Sequence, residues 1–181
     1  MPLIVAVFGA SGPREGEPAY NEARELGAIL AESGYIVATG GYRGVMEAAS
    51  RGASESGGHV IGVTCERIEE LVPGLSANRW VAEEIRYRDL RVRLNHLVVE
   101  TQAAIAMPGG IGTLSEIVLS WSLLQTAEIP PKPMILVGQA WQQMVSVFLQ
   151  HAGDYVHERD RGLLRTVDTA VEAARLVKKC L

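Results

Sequence analysis

The stretch AAIAMPGGIGTLSE (103–116) joins a short apolar run to a helical pattern through a loop that contains three glycines. The apolar run AAIAM (103–107) has no polar interruption, which is typical of a strand buried on both faces of a parallel sheet. A helical pattern over 113–126 follows directly. A strand, a tight glycine turn and a helix in this order form the repeating unit of a doubly wound α/β fold.

The same alternation of apolar runs and helical patterns extends along the chain. Four further runs are predicted to be parallel strands: LIVAVF (3–8), YIVATG (35–40), HVIGVT (59–64) and PMILVG (133–138). Helices are predicted over 18–33, 44–56, 85–100, 141–152 and 168–179. The stretch 65–84 is the least regular and is interpreted as a flap. We therefore predict an α/β fold with a doubly wound, Rossmann-like parallel sheet in a single domain over residues 1–181.

The composition indicates one globular domain whose partner is a small molecule. The 181 residues are 48% hydrophobic and carry a net charge of −4, whereas general nucleic-acid binding needs a basic face. Cys65 and Cys180 have no metal-binding spacing, so neither a disulfide framework nor a metal site is expected. No cofactor is expected either. The apolar run 3–8 is too short to span a bilayer and lacks the basic residues of a signal peptide. We expect a cytoplasmic protein that does not contact a membrane.

Three strand ends run into glycine-rich loops, here called the first loop (FGASG, 8–12), the second loop (TGGYRG, 39–44) and the third loop (PGGIG, 108–112). Because parallel strands end at one edge of the sheet, these loops are expected on one rim. Glycine lets backbone approach a ligand, and the helix that follows presents free N–H groups to an anion. The candidate phosphate-binding residues of the first two loops are Gly9, Ser11, Gly40, Gly41 and Gly44.

The glycine loops have a plainer explanation as well, since tight turns between strands and helices need glycine in any case. None of the loops matches the ATP-binding pattern GxxxxGK[ST], and the dinucleotide pattern GxGxxG is also missing. An ordinary ATPase and an ordinary NAD-binding protein are therefore not expected. Three loops together favour a different phosphorylated ligand.

A polar stripe follows the third loop on an otherwise apolar helix, formed by Thr113, Glu116 and Ser120. One interpretation is a capping box, in which Thr113 caps the helix and Glu116 bonds back to the cap. The other is that Glu116 faces an anion site, where a carboxylate stabilises positive charge or activates water. Both interpretations can hold at once.

The region before the third loop is rich in arginine. Five arginines lie between residues 79 and 93: Arg79, Arg86, Arg88, Arg91 and Arg93. Asp89 and Arg93 are predicted to form an ordinary i, i+4 pair, and the other four arginines are predicted to face solvent. Arg93 differs because Leu97 and its apolar neighbours direct the helix towards the core. His96 is interpreted as structural.

The nine residues PGGIGTLSE resemble the PGGxGTxxE signature of the LOG ("lonely guy") family, the cytokinin riboside 5′-monophosphate phosphoribohydrolases, which are often labelled lysine decarboxylases. The resemblance continues through FGASG, GGYRGVMEAA, GGHVIGV and KPMILVG, over about residues 4–150. It implies a Rossmann-type homodimer, with the apolar helix 113–126 available for the interface. It also implies that Arg93 and Glu116 are catalytic and that the phosphate is held by Gly109, Gly110, Gly112 and Thr113.

The implied reaction is hydrolysis of the N-glycosidic bond of a purine (including cytokinin-type) nucleoside 5′-monophosphate, giving free base and ribose 5-phosphate. The expected partner is such a nucleotide or a related phosphorylated small molecule. The alternative function is a non-catalytic carrier of a nucleotide or of molybdenum cofactor. Plant members have histidine and lysine where this chain has Arg91 and Leu94, and three consecutive glycines in the second loop. Lysine decarboxylation requires a lysine at the rim, and the chain has only Lys132, Lys178 and Lys179.

Overall fold

A computed structural model describes residues 2–181 and contains one seven-stranded sheet. Its strands are β1 Ile4–Phe8, β2 Ile36–Thr39, β3 Val60–Cys65, β4 Glu83–Tyr87, β5 Ala103–Ala106, β6 Met134–Val137 and β7 Leu164–Val167. They lie in the order β4-β3-β2-β1-β5-β6-β7, and all neighbouring pairs are parallel. The predicted α/β fold with a doubly wound parallel sheet is confirmed.

Eight α-helices connect the strands within the described residues. They are α1 Pro18–Glu32, α2 Val45–Glu55, α3 Glu66–Leu71, α4 Leu90–Val99, α5 Ile111–Gln125, α6 Gln139–Ala152, α7 Glu158–Arg161 and α8 Ala170–Cys180. A short 3-10 helix covers Gly153–Tyr155. The predictions for α1, α2, α5, α6 and α8 are confirmed to within two residues at each end. None of the helices over residues 2–181 has both the length and the apolar character needed to cross a bilayer.

The predicted helix over 85–100 is wrong in its first part, because the chain forms strand β4 there before α4 begins. Glu83, Glu84 and Arg86 of β4 are exposed at the sheet edge, so the strand lacks the apolar run that marks the inner strands. Asp89 then caps α4 by accepting a hydrogen bond from the backbone N–H of Arg91 at 2.8 Å. The short helices α3 and α7, the 3-10 helix and strand β7 were likewise not predicted.

The sheet is packed on both faces, and successive residues of β1 alternate between them. Val5 and Val7 join one apolar cluster with α1, α2 and α8, while Ala6 and Phe8 join the other with α4, α5 and α6. The chain moves outward from β1 to β4 and returns to β5 on the other side of β1. In such sheets, ligands bind at the carboxyl ends of the strands where the order reverses, which here is between β1 and β5.

Candidate active site

A cavity of about 540 Å³ lies at the carboxyl ends of the strands, where the three glycine loops meet as predicted. We call it the glycine-loop cavity. Residues that follow β1, β2 and β5 line it together with residues from α2, α3, α4 and α5. It therefore occupies the position at which a doubly wound sheet binds ligands.

Backbone hydrogen bonds connect the three loops to one another. The N–H of Ala10 donates to the carbonyl of Pro108 at 3.1 Å, and the N–H of Val45 donates to the carbonyl of Ala10 at 2.9 Å. A Cβ on Gly9 would overlap the Val45 side chain, and Gly44 has a φ of 70°, which favours glycine. Gly9 and Gly44 are thus required for the first loop to pack against the second loop and the start of α2.

The predicted phosphate-binding residues divide into those that line the cavity and those that do not. The residues at the cavity surface are Gly9, Ser11, Gly40, Gly110, Gly112 and Thr113. Gly41, Gly44 and Gly109 are not among the lining residues. A Cβ on Gly109 would overlap the side chain of Thr113, so this glycine allows Thr113 to pack against the turn.

The capping box predicted for Thr113 and Glu116 is not formed. Helix α5 begins at Ile111 with Gly110 as its N-cap, and no side chain accepts a capping hydrogen bond there. Because the helix starts two residues earlier than predicted, Thr113 lies within the first turn and Glu116 within the second. The first amides of α5 are therefore left without a side-chain cap at the edge of the cavity, where they could bind an anion.

Glu116 and Arg93 form a buried ion pair in the cavity wall. The Arg93 Nη1 donates to Glu116 Oε1 at 2.9 Å, and each residue is only 6% exposed. The Arg93 Nε donates to the carbonyl of Val63 at 3.0 Å, which fixes the guanidinium against β3. The predicted pair between Asp89 and Arg93 is wrong, because the Asp89 carboxylate contacts Arg91 instead.

The electrostatic environment of Glu116 combines two opposing effects. Burial raises the pKa of Glu116, while the charge and hydrogen bond of Arg93 act to lower it. A carboxylate with a raised pKa accepts a proton more readily than an ordinary one, and Arg93 favours its charged form. Glu116, held by Arg93, can therefore act as a negative charge or as a proton acceptor in a part of the cavity wall that is largely shielded from water.

The position of Arg93 depends on Gly40 of the second loop. A Cβ on residue 40 would overlap the Arg93 guanidinium and come within 2.5 Å of the Met46 sulfur. Gly40 is thus needed by the ion pair, a role that its place in a glycine-rich loop did not indicate.

Two residues that organise the second loop were not predicted. Asn78 donates to the carbonyls of Gly41 and Tyr42, both at 3.0 Å. The Tyr42 hydroxyl accepts from the N–H of Cys65 at 2.7 Å and lies within hydrogen-bond distance of Glu69. Burial raises the pKa of Tyr42 to about 12, so the phenol stays protonated. These contacts join residues far apart in sequence, and no local pattern signals them.

The stretch 65–84, which we interpreted as a flap, supplies an apolar side of the cavity. Ile68, Val72 and Leu75 line it, and Met46 of α2 adds a fourth apolar side chain. The same cavity carries the ion pair and the α5 amides, so its lining combines apolar and polar parts. A ligand with an apolar or aromatic end and an anionic end would match this division.

The lysines do not fit a decarboxylase site that depends on pyridoxal phosphate. Lys132 precedes β6, at the end of the sheet away from the glycine-loop cavity, and its Nζ donates to the carbonyls of Val98 and Thr101. Burial lowers the pKa of Lys132 to about 8. Lys178 and Lys179 are exposed in the last turn of α8. No lysine is among the residues that line the cavity, so none there could form the aldimine that this chemistry needs.

Comparison with known proteins relates the chain to a family described as "Possible lysine decarboxylase", whose profile matches residues 46–177. The chain is 30% identical to a cytokinin riboside 5′-monophosphate phosphoribohydrolase of Rhodococcoides fascians, over 83% of this chain and 76% of that protein. It is 33% identical to a probable enzyme of the same name from Oryza sativa subsp. japonica, over 85% of this chain and 61% of that protein.

Among solved structures, the chain is similar to the molybdenum cofactor carrier protein of Chlamydomonas reinhardtii. The two are 27% identical with a TM-score of 0.74, and the match covers 99% of this chain and 98% of that one. The profile match, the phosphoribohydrolase relatives and the PGGIGTLSE signature at the start of α5 agree with one another. The chain belongs to the LOG family.

Proposed function

We propose that the protein hydrolyses the N-glycosidic bond of a purine nucleoside 5′-monophosphate and releases the free base and ribose 5-phosphate. The observation that carries this proposal is the buried Arg93–Glu116 pair in the wall of a cavity bounded by an uncapped helix N-terminus. The names of the relatives at 30% and 33% identity support the same reaction.

The phosphate binds at the amino end of α5 in this mechanism. The amides of Gly110, Gly112 and Thr113 donate to its oxygens, and the helix dipole favours its charge. Holding the phosphate fixes the far end of the nucleotide and aligns the sugar with Glu116. Binding energy from the part of the substrate that does not react is thereby used to position C1′.

Glu116 acts on the sugar and on the attacking water. The bond between C1′ and the base nitrogen breaks, the base takes the electron pair, and positive charge develops on the ribose. The Glu116 carboxylate stabilises this charge and accepts a proton as water forms the new C1′–O bond. The departing base takes up one proton from solvent and Glu116 returns its proton to solvent, so one water is consumed for each bond cleaved.

Arg93 acts through Glu116 in this scheme. Its Nη1 and Nε donate to Glu116 and to the Val63 carbonyl, so both of these atoms have protein partners. The remaining Nη2 lies beside Gly40. Arg93 therefore orients the carboxylate and keeps it charged, which differs from the bidentate phosphate binding that a free guanidinium provides.

The proposal is tested by incubating the protein with AMP, GMP, IMP and a cytokinin riboside 5′-monophosphate. Free base and ribose 5-phosphate are quantified by chromatography, and Glu116→Gln serves as the blank. We expect equimolar base and ribose 5-phosphate from at least one purine nucleotide, with release by Glu116→Gln lower by about 10²- to 10⁴-fold. Absence of base release from all four nucleotides would overturn the proposal.

A carrier function is the second candidate, supported by the likeness to the Chlamydomonas reinhardtii carrier over almost the whole of both chains. A carrier would use the same α5 amides to hold a phosphorylated cargo and would need no turnover at Glu116. Tight binding of a phosphorylated ligand without base release, unaffected by Glu116→Gln, would favour the carrier.

A further inference from the structure

Arg43 of the second loop is a cavity-lining guanidinium that has no carboxylate partner within the described residues 2–181. The other arginine in the lining is Arg93, whose charge is balanced by Glu116. Among the described residues that line the cavity, Glu116 alone carries a carboxylate. The net charge that the cavity presents to a ligand therefore comes from Arg43.

The backbone on both sides of Arg43 is held in place. Tyr42 is buried, and its hydroxyl is bonded to the backbone of Cys65. Gly44 packs against the first loop with a φ of 70°. The Arg43 side chain is exposed, so a flexible guanidinium extends from a fixed position at the cavity. The fixed backbone removes the backbone share of the conformational entropy lost on anion binding, while the side chain still loses rotamer freedom.

The sheet order sets how Arg43 and the α5 amides face a common ligand. The second loop follows β2 and the third follows β5, with β1 and the first loop between them. Neighbouring strands lie about 4.8 Å apart, so the two loops flank a gap of roughly 10 Å. An extended Arg43 side chain and a phosphate held at the α5 amides can therefore together bridge this gap.

We propose that Arg43 binds the phosphate of the ligand from the side opposite the α5 amides and thereby selects phosphorylated over unphosphorylated nucleosides. This inference rests on the proposed function, since it takes a nucleoside 5′-monophosphate as the ligand. A guanidinium suits this role because it donates two parallel hydrogen bonds to a phosphate. Arg43 is then a specificity-determining residue that does not touch the reacting bond.

The experiment measures AMP and adenosine binding by calorimetry in Glu116→Gln protein, which retains the cavity without turnover. Adding Arg43→Gln is expected to weaken AMP binding by about 10- to 100-fold, the usual effect of losing hydrogen bonds to a charged group. Adenosine affinity is expected to be unchanged. Arg43→Lys restores part of the AMP affinity because it keeps the charge without the two-pronged geometry.

Arg88→Gln is the matched control, because Arg88 is also exposed, has no carboxylate within salt-bridge distance among the described residues and lies outside the cavity lining. It is expected to leave AMP affinity unchanged. Equal AMP affinity with and without Arg43, or equal losses for AMP and adenosine, would overturn the inference.

The outcome also separates this inference from the proposed function. If wild-type protein releases base from AMP and Arg43→Gln has the same KM, only the role of Arg43 is wrong. If AMP binds through Arg43 but wild-type protein releases no base from any of the four nucleotides, the hydrolase proposal is wrong and the role of Arg43 in phosphate binding stands. Failure of all four nucleotides to bind to wild-type protein would overturn both.

Discussion

Arg93 and Glu116 place opposite charges in a wall where each is only 6% exposed, and such burial carries a large desolvation cost. Because an apolar pair of similar volume is often as stable, a buried ion pair is weak evidence for a purely structural role. Its position beside an uncapped helix N-terminus favours a chemical role instead.

Arg93→Lys is expected to lower kcat for AMP by about tenfold or more. Lysine keeps the positive charge, but a single ammonium cannot reproduce the planar contacts that Arg93 makes with Glu116 and the Val63 carbonyl. Steady-state kinetics give the measurement, with Arg91→Lys as the control because Arg91 is exposed and contacts Asp89. An unchanged kcat in Arg93→Lys would show that the geometry of this guanidinium is not needed.

His96 predicts a pH dependence of stability that is independent of the site. Burial lowers the pKa of His96, with Glu100 opposing the shift, and its Nδ1 lies 3.0 Å from the Tyr87 hydroxyl. The unfolded chain therefore binds a proton at His96 more readily than the folded chain, so this residue's contribution to stability is lost as pH falls below about 6.5.

His96→Gln should accordingly flatten the rise in unfolding free energy with pH on the acidic side of about pH 6.5. Urea denaturation at several pH values measures the slope, and His151→Gln provides the control because His151 is exposed at the end of α6. An identical slope in His96→Gln and wild-type protein would rule out this source of pH dependence.

At the level of elements, the glycine loops bond to one another through their backbones, and Gly40 of the second loop leaves room for the Arg93–Glu116 ion pair. Gly40→Ala introduces a methyl group where the Arg93 guanidinium and the Met46 sulfur lie. We expect kcat to fall by about tenfold or more as Arg93 is displaced from Glu116, with a loss of stability of about 1–3 kcal/mol from overpacking. Activity assays and thermal denaturation measure the two effects.

Gly162→Ala is the control for this substitution. Gly162 has a φ of −83°, and a Cβ there would have no neighbour within 4 Å. It should leave activity unchanged. Wild-type activity in Gly40→Ala would mean that Arg93 can shift without consequence, contrary to the proposed mechanism.

The elements also show which parts of the fold a single sequence can predict. The inner strands were predicted because burial on both faces requires continuous apolar runs, whereas β4 and β7 lie at sheet edges and carry exposed polar residues. The start of α4 at Leu90 makes Asp89 a cap, which removes it from the predicted pair with Arg93. The roles of Tyr42 and Asn78 could not be predicted, because their partners come from distant segments.

For the whole molecule, the face of α5 that points away from Glu116 exposes an apolar surface. Its members lie around a groove of about 340 Å³ between α5, α6 and the residues that follow α6. They include Val118, Trp121, Met144, Phe148, Tyr155 and Val156. Exposed apolar patches of this kind mark interaction surfaces, so we propose that a second copy of the chain covers it in a homodimer.

Val118→Glu and Phe148→Glu are expected to convert this dimer into monomers, because each places a charge where an apolar contact would be buried. Both side chains are about half exposed in the single chain, at 51% and 46%, so the fold itself should tolerate the change. Light scattering coupled to size-exclusion chromatography measures the mass. A wild-type monomer, or variants that remain dimeric, would contradict the proposed interface.

We propose Glu116 as the catalytic residue, and a comparison of kcat and AMP affinity in Glu116→Gln with those of wild-type protein tests this role. Glutamine keeps an acceptor for Arg93 but cannot take a proton, so we predict a fall in kcat of about 10²- to 10⁴-fold with AMP affinity changed by less than about threefold. Glu128→Gln, exposed just beyond α5, is the matched control. A kcat in Glu116→Gln within about threefold of wild type would contradict the claim.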